Sequence, residues 1–330
     1  HFMELLGGCE EKCCKINKGI TTTEEMWRGS EITKDEIGRQ IERLKRGKAP
    51  GGDGIQNEAW MFGTEEVKEK IWEVVNGVWK GKGFPRQWRE GIIIPLFKKG
   101  QKSDVKNYRG ITLLNTAYKI YAMILDERLR KEMEARGMLP DGQAGFRKGR
   151  GTMDNVYILR HLVGREIRKE GGRMYALFID FKAAFDSVNR EKMWEYLRRK
   201  GVDAYLVTKM EEIYEETVNT VRVNGIESES FYTNRGVRQG CPLSPALFAA
   251  YLGDIDEMFR KAQTGGVVVG KEKVWSLAYA DDLVIVAKKR EEMKTMIKSF
   301  EKYVQKKELE VNVEKTKMVV FGKKVRKEKE

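Results

Sequence analysis

The sequence predicts an α+β protein, an antiparallel sheet backed by helices. Three observations carry this reading. Strand-like and helix-like stretches are interspersed without the regular alternation that builds a parallel sheet. Two apolar runs, 274–278 and 283–287, are joined by so short a polar stretch that they read as a β-hairpin. The chain has 330 residues, 41% of them hydrophobic, enough to bury a sizeable core in one large domain or two subdomains.

Each element follows from local pattern. Residues 1–29 are mixed and read as an entry segment. Over 31–44, Ile32, Ile37, Ile41 and Leu44 recur at helical spacing, with Ser30 or Thr33 as N-cap. That helix stops in Gly47-Lys48-Ala49-Pro50-Gly51-Gly52-Asp53-Gly54, a run of breakers lacking the Gly-Lys-Ser/Thr of a phosphate-cradling loop. Residues 65–79 form a second helix, closed by Gly81 and Gly83. A strand over 91–97 meets the basic turn Lys98-Lys99-Gly100. Helices over 117–133 and 154–169 follow, the latter with a basic outer face and a stop at Gly171-Gly172. Strand 174–179 leads into Asp180. Helices are predicted over 189–200 and 202–216, paired strands over 220–223 and 230–234 around Asn224-Gly225, and one strongly apolar helix over 245–260. After the hairpin come a helix over 291–306, a strand over 317–321 and an almost wholly charged tail. No internal repeat is visible.

Composition narrows the function classes. Lys and Arg number 63 against 50 acids, a formal charge of +13, which suits a polyanionic partner such as nucleic acid or else a solvated basic surface. Cys9, Cys13, Cys14 and Cys241 make no disulfide framework, and without a histidine cluster they make a poor zinc site. With only His1 and His161, histidine-based catalysis is disfavoured. No apolar run approaches the roughly 18 residues of a membrane span, and no signal-peptide pattern opens the chain. An intracellular, non-secreted protein is expected.

The chemistry concentrates in Tyr279-Ala280-Asp281-Asp282, adjacent carboxylates at the hairpin tip. Taken alone, such a pair is as readily a solvated turn. Leu177-Phe178-Ile179-Asp180 offers a third acid at the end of another strand. Three acids on neighbouring strand ends suit two Mg²⁺ ions and in-line phosphoryl transfer. Phe185 follows closely; beside a bound sugar its ring would exclude a 2′-hydroxyl, and alone it would pass for a core aromatic. In Arg235-Gly236-Val237-Arg238-Gln239-Gly240-Cys241-Pro242, Gly240 and Pro242 keep the backbone open near a helix start, which favours phosphate. Arg238 and Gln239 can donate to phosphate, sugar or base.

Together these segments resemble a reverse transcriptase of the non-LTR (LINE-type) retrotransposon kind. Residues 178–188 look like the first catalytic motif, 236–245 the nucleotide loop and 279–282 the catalytic hairpin. Four further stretches match in order: 44–60, containing Lys48-Ala49-Pro50-Gly51; 94–113, with Asn107-Tyr108-Arg109-Gly110; Gln143-Ala144-Gly145-Phe146-Arg147 with Gly151-Thr152; and 309–317. Each is weak alone; in order over roughly 30–322 they are specific.

The resemblance implies a right-hand polymerase fold. The segments would be 1–29 as linker or N-terminal extension, 30–173 as fingers with the N-terminal extension motif, 174–322 as palm, and 323–330 as charged tail. The last motif lies close to the chain end, so the thumb is expected to be missing, with no room upstream for an endonuclease. Asp180 and Asp281 would bridge two Mg²⁺ ions, with Mn²⁺ as a substitute, and Asp282 would be a lesser ligand. Lys315, with Lys317 in reserve, would donate a proton to pyrophosphate. Lys98 and Arg109 would grip the β and γ phosphates, while Phe181, Phe185, Arg238, Gln239 and Gly240 complete the nucleotide site. Gly145, Phe146, Arg147 and Tyr279 would touch nucleic acid. Glu308 stands where many relatives carry glycine. The implied partners are an RNA template, a DNA primer and deoxynucleoside triphosphates, with no membrane, and the implied compartment is the nucleus, with the cytoplasm second. The competing readings are a catalytically impaired, truncated copy that only binds RNA, and a maturase-like or RNA-copying polymerase. Viral RNA replicases share the palm, but Phe185 and Gln239-Gly240 fit a DNA-making enzyme better.

Overall fold

The computed structural model of the chain describes residues 1–10 and 31–322. Cys13, Cys14, Ser30 and the tail beyond Gly322 lie outside them. In chain order the elements are α1 (Phe2–Leu5), α2 (Lys34–Glu42), α3 (Asn57–Met61), α4 (Glu65–Trp79), α5 (Arg86–Arg89), β1 (Glu90–Phe97), β2 (Tyr108–Leu113), α6 (Thr116–Ala135), α7 (Thr152–Ile167), β3 (Arg173–Ile179), α8 (Arg190–Arg199) and α9 (Ala204–Tyr214). There follow β4 (Thr217–Val223), β5 (Ile226–Glu227), β6 (Phe231–Thr233), α10 (Ser244–Tyr251), α11 (Ile255–Lys261), β7 (Val267–Val269), β8 (Glu272–Val274), β9 (Ser276–Tyr279), β10 (Asp282–Ala287), α12 (Arg290–Lys306) and β11 (Lys317–Gly322). The α+β class is borne out.

Packing groups the chain into two interleaved units, His1–Met133 with Arg190–Ser244, and Glu134–Asn189 with Pro245–Glu330. In the first unit α2 begins at Thr33, whose side chain accepts from the Glu36 N–H while the Glu36 carboxylate accepts from the Thr33 N–H. Ile37 and Ile41 turn inward as their spacing predicts. The sheet is mixed: β1 pairs antiparallel with β2 and parallel with β4. The strands expected at 220–223 and 230–234 pair otherwise than predicted. The end of β4 meets β5 around Asn224-Gly225, with φ of +50° and +82° as a type I′ turn requires, and its start meets β6. Trp79, Trp88, Tyr118 and Tyr121 fill the core, each fully burying ring contributing on the order of 1.5–3 kcal/mol.

The second unit holds a wholly antiparallel sheet in the order β11-β3-β10-β9. Leu162 of α7 packs with Met174, Ala176 and Val286 of the sheet and with Val267. α12 buries the stripe Met293, Met296, Phe300, Tyr303 and Val304. The single helix predicted over 245–260 is instead two, α10 and α11. The chain breaks at Leu252-Gly253-Asp254, where glycine weakens a helix and the Asp254 carboxylate takes the Tyr303 hydroxyl (2.7 Å) and Lys307 Nζ (3.0 Å).

Candidate active site

In the second unit, strand register brings the acids together. Leu283 lies opposite Ile179 in the β3–β10 ladder. Continued one residue beyond the ladder, that register would set Asp282 across from Asp180, and the Asp180 charge does act on the Asp282 carboxyl. Asp282 pairs with Tyr279, so Ala280 and Asp281 form a two-residue loop. Ala280 has φ of +59° and Asp281 has no positive φ, the pattern of a type II′ turn that glycine would adopt more cheaply. Asp281 thus sits in the turn and Asp282 opens β10. Burial, then the charges of Asp281 and Asp180, push the Asp282 carboxyl above the ordinary aspartate value.

The segment after α12 is laced to Asp180. The Asp180 N–H donates to Thr316 Oγ1 (3.3 Å), and its carbonyl accepts from the Asn312 N–H (2.7 Å). Phe181 bridges to Val311, and the Lys182 N–H donates to the Glu310 carbonyl (2.8 Å). Lys315 Nζ lies 3.4 Å from Asp180 Oδ2, which is buried and makes no hydrogen bond. Lys317 instead donates to the Glu314 carbonyl. Glu308 adopts φ of +54°, a conformation suited to glycine, and its carboxylate accepts from Asn189 (2.9 Å).

Phe185 is half-buried, its ring stacked on Phe248 at 4.8 Å and 13°. Phe181, expected at the nucleotide, is buried 6.2 Å from the Phe300 ring. Gln143-Ala144-Gly145-Phe146 runs along β9. The Ala144 N–H donates to the Ala278 carbonyl (2.9 Å), and a Cβ on Gly145 would lie 2.3 Å from the Ala280 nitrogen. Phe146, with φ of +61°, places its ring 6.3 Å from that of Tyr279. Arg147, expected at nucleic acid, makes a bidentate pair with Glu134, both bonds at 2.8 Å.

In the first unit, the nucleotide-loop residues gather against β2. Lys98 ends the β1 side of the hairpin, exposed, with its N–H bonded to the Asn107 carbonyl (2.8 Å). Arg109 Nε donates to Gln239 Oε1 (2.7 Å), and the Thr112 N–H donates to the Gln239 carbonyl (2.6 Å). Gly240 has φ of +122°, and a Cβ there would meet the Thr112 carbonyl at 2.4 Å, so only glycine fits. Arg238, expected to reach the nucleotide, turns inward. Its guanidinium donates to the carbonyls of Trp88 (3.0 Å) and Arg89 (2.9 Å).

A family model described as reverse transcriptase (RNA-dependent DNA polymerase) matches residues 98–329. The chain belongs to the reverse transcriptase family. Among sequence relatives, the transposon TX1 uncharacterized 149 kDa protein of Xenopus laevis is 31% identical, across 78% of this chain and 19% of its own length. The retrovirus-related Pol polyprotein from type-1 retrotransposable element R2 of Nasonia vitripennis is 28% identical, across 87% and 26%. The retrotransposon kind expected from the motifs is borne out. This reverse transcriptase domain spans only about a fifth to a quarter of those relatives' lengths. The structure of apo telomerase from Candida tropicalis, truncated from its C-terminal domain, matches with a TM-score of 0.53 at 14% identity, over 76% of this chain and 55% of that one. The expected right-hand polymerase fold is thereby shown.

The reverse transcriptase hairpin offers the hard carboxylate oxygens that Mg²⁺ and Mn²⁺ prefer, and Asp180 Oδ2 is a buried acceptor without a hydrogen bond. Among the described residues no three acid, histidine or cysteine side chains are gathered into a finished cation cage. The donors fit a divalent ion by chemistry, and repulsion among like charges opposes their closer approach. Sequence reasoning missed Arg190, which is buried and donates to the carbonyls of Tyr214, Thr233, Arg235 and Gly236. Its signal was present: Arg190, Met193, Trp194 and Leu197 share the inward face of α8 at helical spacing. Asn155, which donates to the Ala278 carbonyl (2.9 Å), carried no such signal.

Proposed function

We propose that this chain carries out RNA-directed DNA synthesis during retrotransposition, adding deoxynucleotides to a primer 3′-hydroxyl by two-metal phosphoryl transfer. The observation that carries this reading is the β3–β10 register, which aligns Asp180 with the Asp281-Asp282 turn. Asp180 and Asp281 would hold the divalent ions, and Asp282 would be a lesser ligand. When bound, two divalent ions, Mg²⁺ or Mn²⁺, would lower the pKa of the primer hydroxyl and neutralise charge on the triphosphate. Lys315, within 3.4 Å of Asp180, delivers a proton to the leaving pyrophosphate. Lys98 and Arg109 hold the β and γ phosphates, with Gln239 fixing the Arg109 side chain. Phe185 excludes a ribose 2′-hydroxyl. Gly145, Phe146 and Tyr279 brace the hairpin where it meets the nucleic acid. The basic surface suits an RNA template and a DNA primer, and copying at chromosomal DNA assigns the protein to the nucleus.

Primer extension on an RNA template tests the reading. Wild-type protein extends with Mg²⁺ and stops with a chelator. Asp180→Asn and Asp281→Asn each lose about a thousandfold or more in rate, since each removes a charged ligand where charge develops. Extension by either variant at the wild-type rate sinks the assignment.

A further inference from the structure

Behind the Gln239-Gly240 loop of the first unit lie two arginines, and neither has a carboxylate partner among the described residues. Arg238 is 5% exposed. Its two terminal nitrogens each donate to a carbonyl, of Trp88 and Arg89, and its Nε has no hydrogen-bond acceptor. The guanidinium lies 5.4 Å from the Tyr118 ring. Gly91 leaves room for it, since a Cβ there would come within 2.9 Å of the guanidinium. Arg190, 8% exposed, donates to four carbonyls and to the Thr217 and Thr233 hydroxyls. Burial pulls Arg190 down to about 10, and the Arg238 charge pulls the same way. Arg190 therefore still carries its charge at neutral pH.

Charges buried against neutral acceptors are costly to hold. For filling the space beside Tyr118 an uncharged chain of similar length would serve, so the charge itself calls for a use. The loop that these arginines support points to one. The Arg238 carbonyl accepts from Ser244 Oγ (2.8 Å) and from the Cys241 N–H (3.0 Å). The next residue, Gln239, is held by the Thr112 N–H through its carbonyl and by Arg109 through its side chain. Gly240 has no slack against Thr112.

We propose that Arg238, backed by Arg190, is a positioning residue for the incoming nucleoside triphosphate. It keeps Gln239 and Gly240 in register with Arg109, and it sets a positive potential behind the surface that meets the phosphates. This rests on the polymerase reading above.

The test uses the full chain with Arg238→Met and Arg238→Lys. Single-nucleotide insertion is followed at varied dGTP, beside RNA affinity, thermal melting and a direct titration with inorganic tripolyphosphate. Arg238→Met should raise the dGTP KM about tenfold and weaken tripolyphosphate binding about as much, while kcat and RNA affinity stay within about twofold. Arg238→Lys, which keeps the charge but not the fork, should recover part of the KM. An unchanged KM overturns the proposal, as does a loss of KM, kcat and RNA affinity in step with melting temperature. Should Arg238→Met fail to fold, Arg238→Lys with a raised dGTP KM and weakened tripolyphosphate binding, at unchanged kcat, RNA affinity and melting temperature, supports the proposal, and a wild-type KM or a proportionate loss of every property refutes it. Wild-type protein that binds tripolyphosphate through Arg238 without extending a primer counts against the polymerase reading alone.

Discussion

At the residue scale, Phe185 and Asp282 carry different physical signatures, one of packing and one of charge. Phe185 is stacked on Phe248 and half-buried, so packing sets the position of its ring. Phe185→Ala should therefore admit ribonucleotides, with discrimination between dGTP and GTP falling at least about tenfold in competing insertion assays. Unchanged discrimination would remove Phe185 from the role of gate. Asp282 carries a different signature, because its carboxyl is raised in the fold by burial and by two neighbouring acids. A raised acid destabilises the fold when ionised. That cost is fully present above the raised value, shrinks as pH falls towards the ordinary aspartate value of 3.8, and is absent below it, where both states are protonated. Asp282→Asn should thus melt at a higher temperature than wild type at pH 7 without divalent ions, and at the same temperature near pH 3. A lower melting temperature at pH 7 would mean that Asp282 makes stabilising contacts that outweigh the repulsion.

At the scale of elements, glycines decide how closely two segments can approach. Gly145 lies against the backbone of the 279–282 turn, 2.3 Å from the Ala280 nitrogen and 3.0 Å from the Tyr279 carbonyl carbon as measured from an added Cβ. Backbone cannot step aside as a flexible side chain can. Gly145→Ala should displace the turn that bears Asp281, cost about 1–3 kcal/mol of stability and reduce extension at least about tenfold. Gly164, inside α7, meets nothing within 4 Å, so Gly164→Ala should raise stability by up to about 1 kcal/mol and leave extension alone. Chemical denaturation of the two variants, compared with their extension rates, separates close approach from helix propensity. Equal behaviour of the pair would show that the turn tolerates displacement.

Across the whole molecule, the formal charge of +13 sets the expectation for nucleic-acid binding. Many basic side chains are already engaged, as Arg147 is with Glu134 and Arg128 with Glu36, and these contribute little to a template. The logarithm of the RNA affinity should fall linearly with the logarithm of salt concentration, with a slope of about −0.7 for each phosphate neutralised on a single strand. A fluorescence titration at several salt concentrations reads the slope, and a flat line would deny a phosphate-lined path. The two interleaved packing units also show that chain order and packing order differ: residues 190–244 return to the unit that contains the first 133.

The hairpin, the strand ending at Asp180 and the amphipathic helices were legible because each rests on local spacing: period-two apolar runs, a two-residue turn, a cap three residues from its partner. The inward turn of Arg238 and Arg147, the parallel pairing of β1 with β4 and the break at Gly253 were not legible. Each depends on a carbonyl, carboxylate or strand edge distant in sequence. By itself the sequence determined the family and the candidate acids, since side-chain type and motif spacing are written in it. Only the tertiary structure decided which arginines are bound within the protein, because a buried charge goes where its hydrogen-bond acceptors converge.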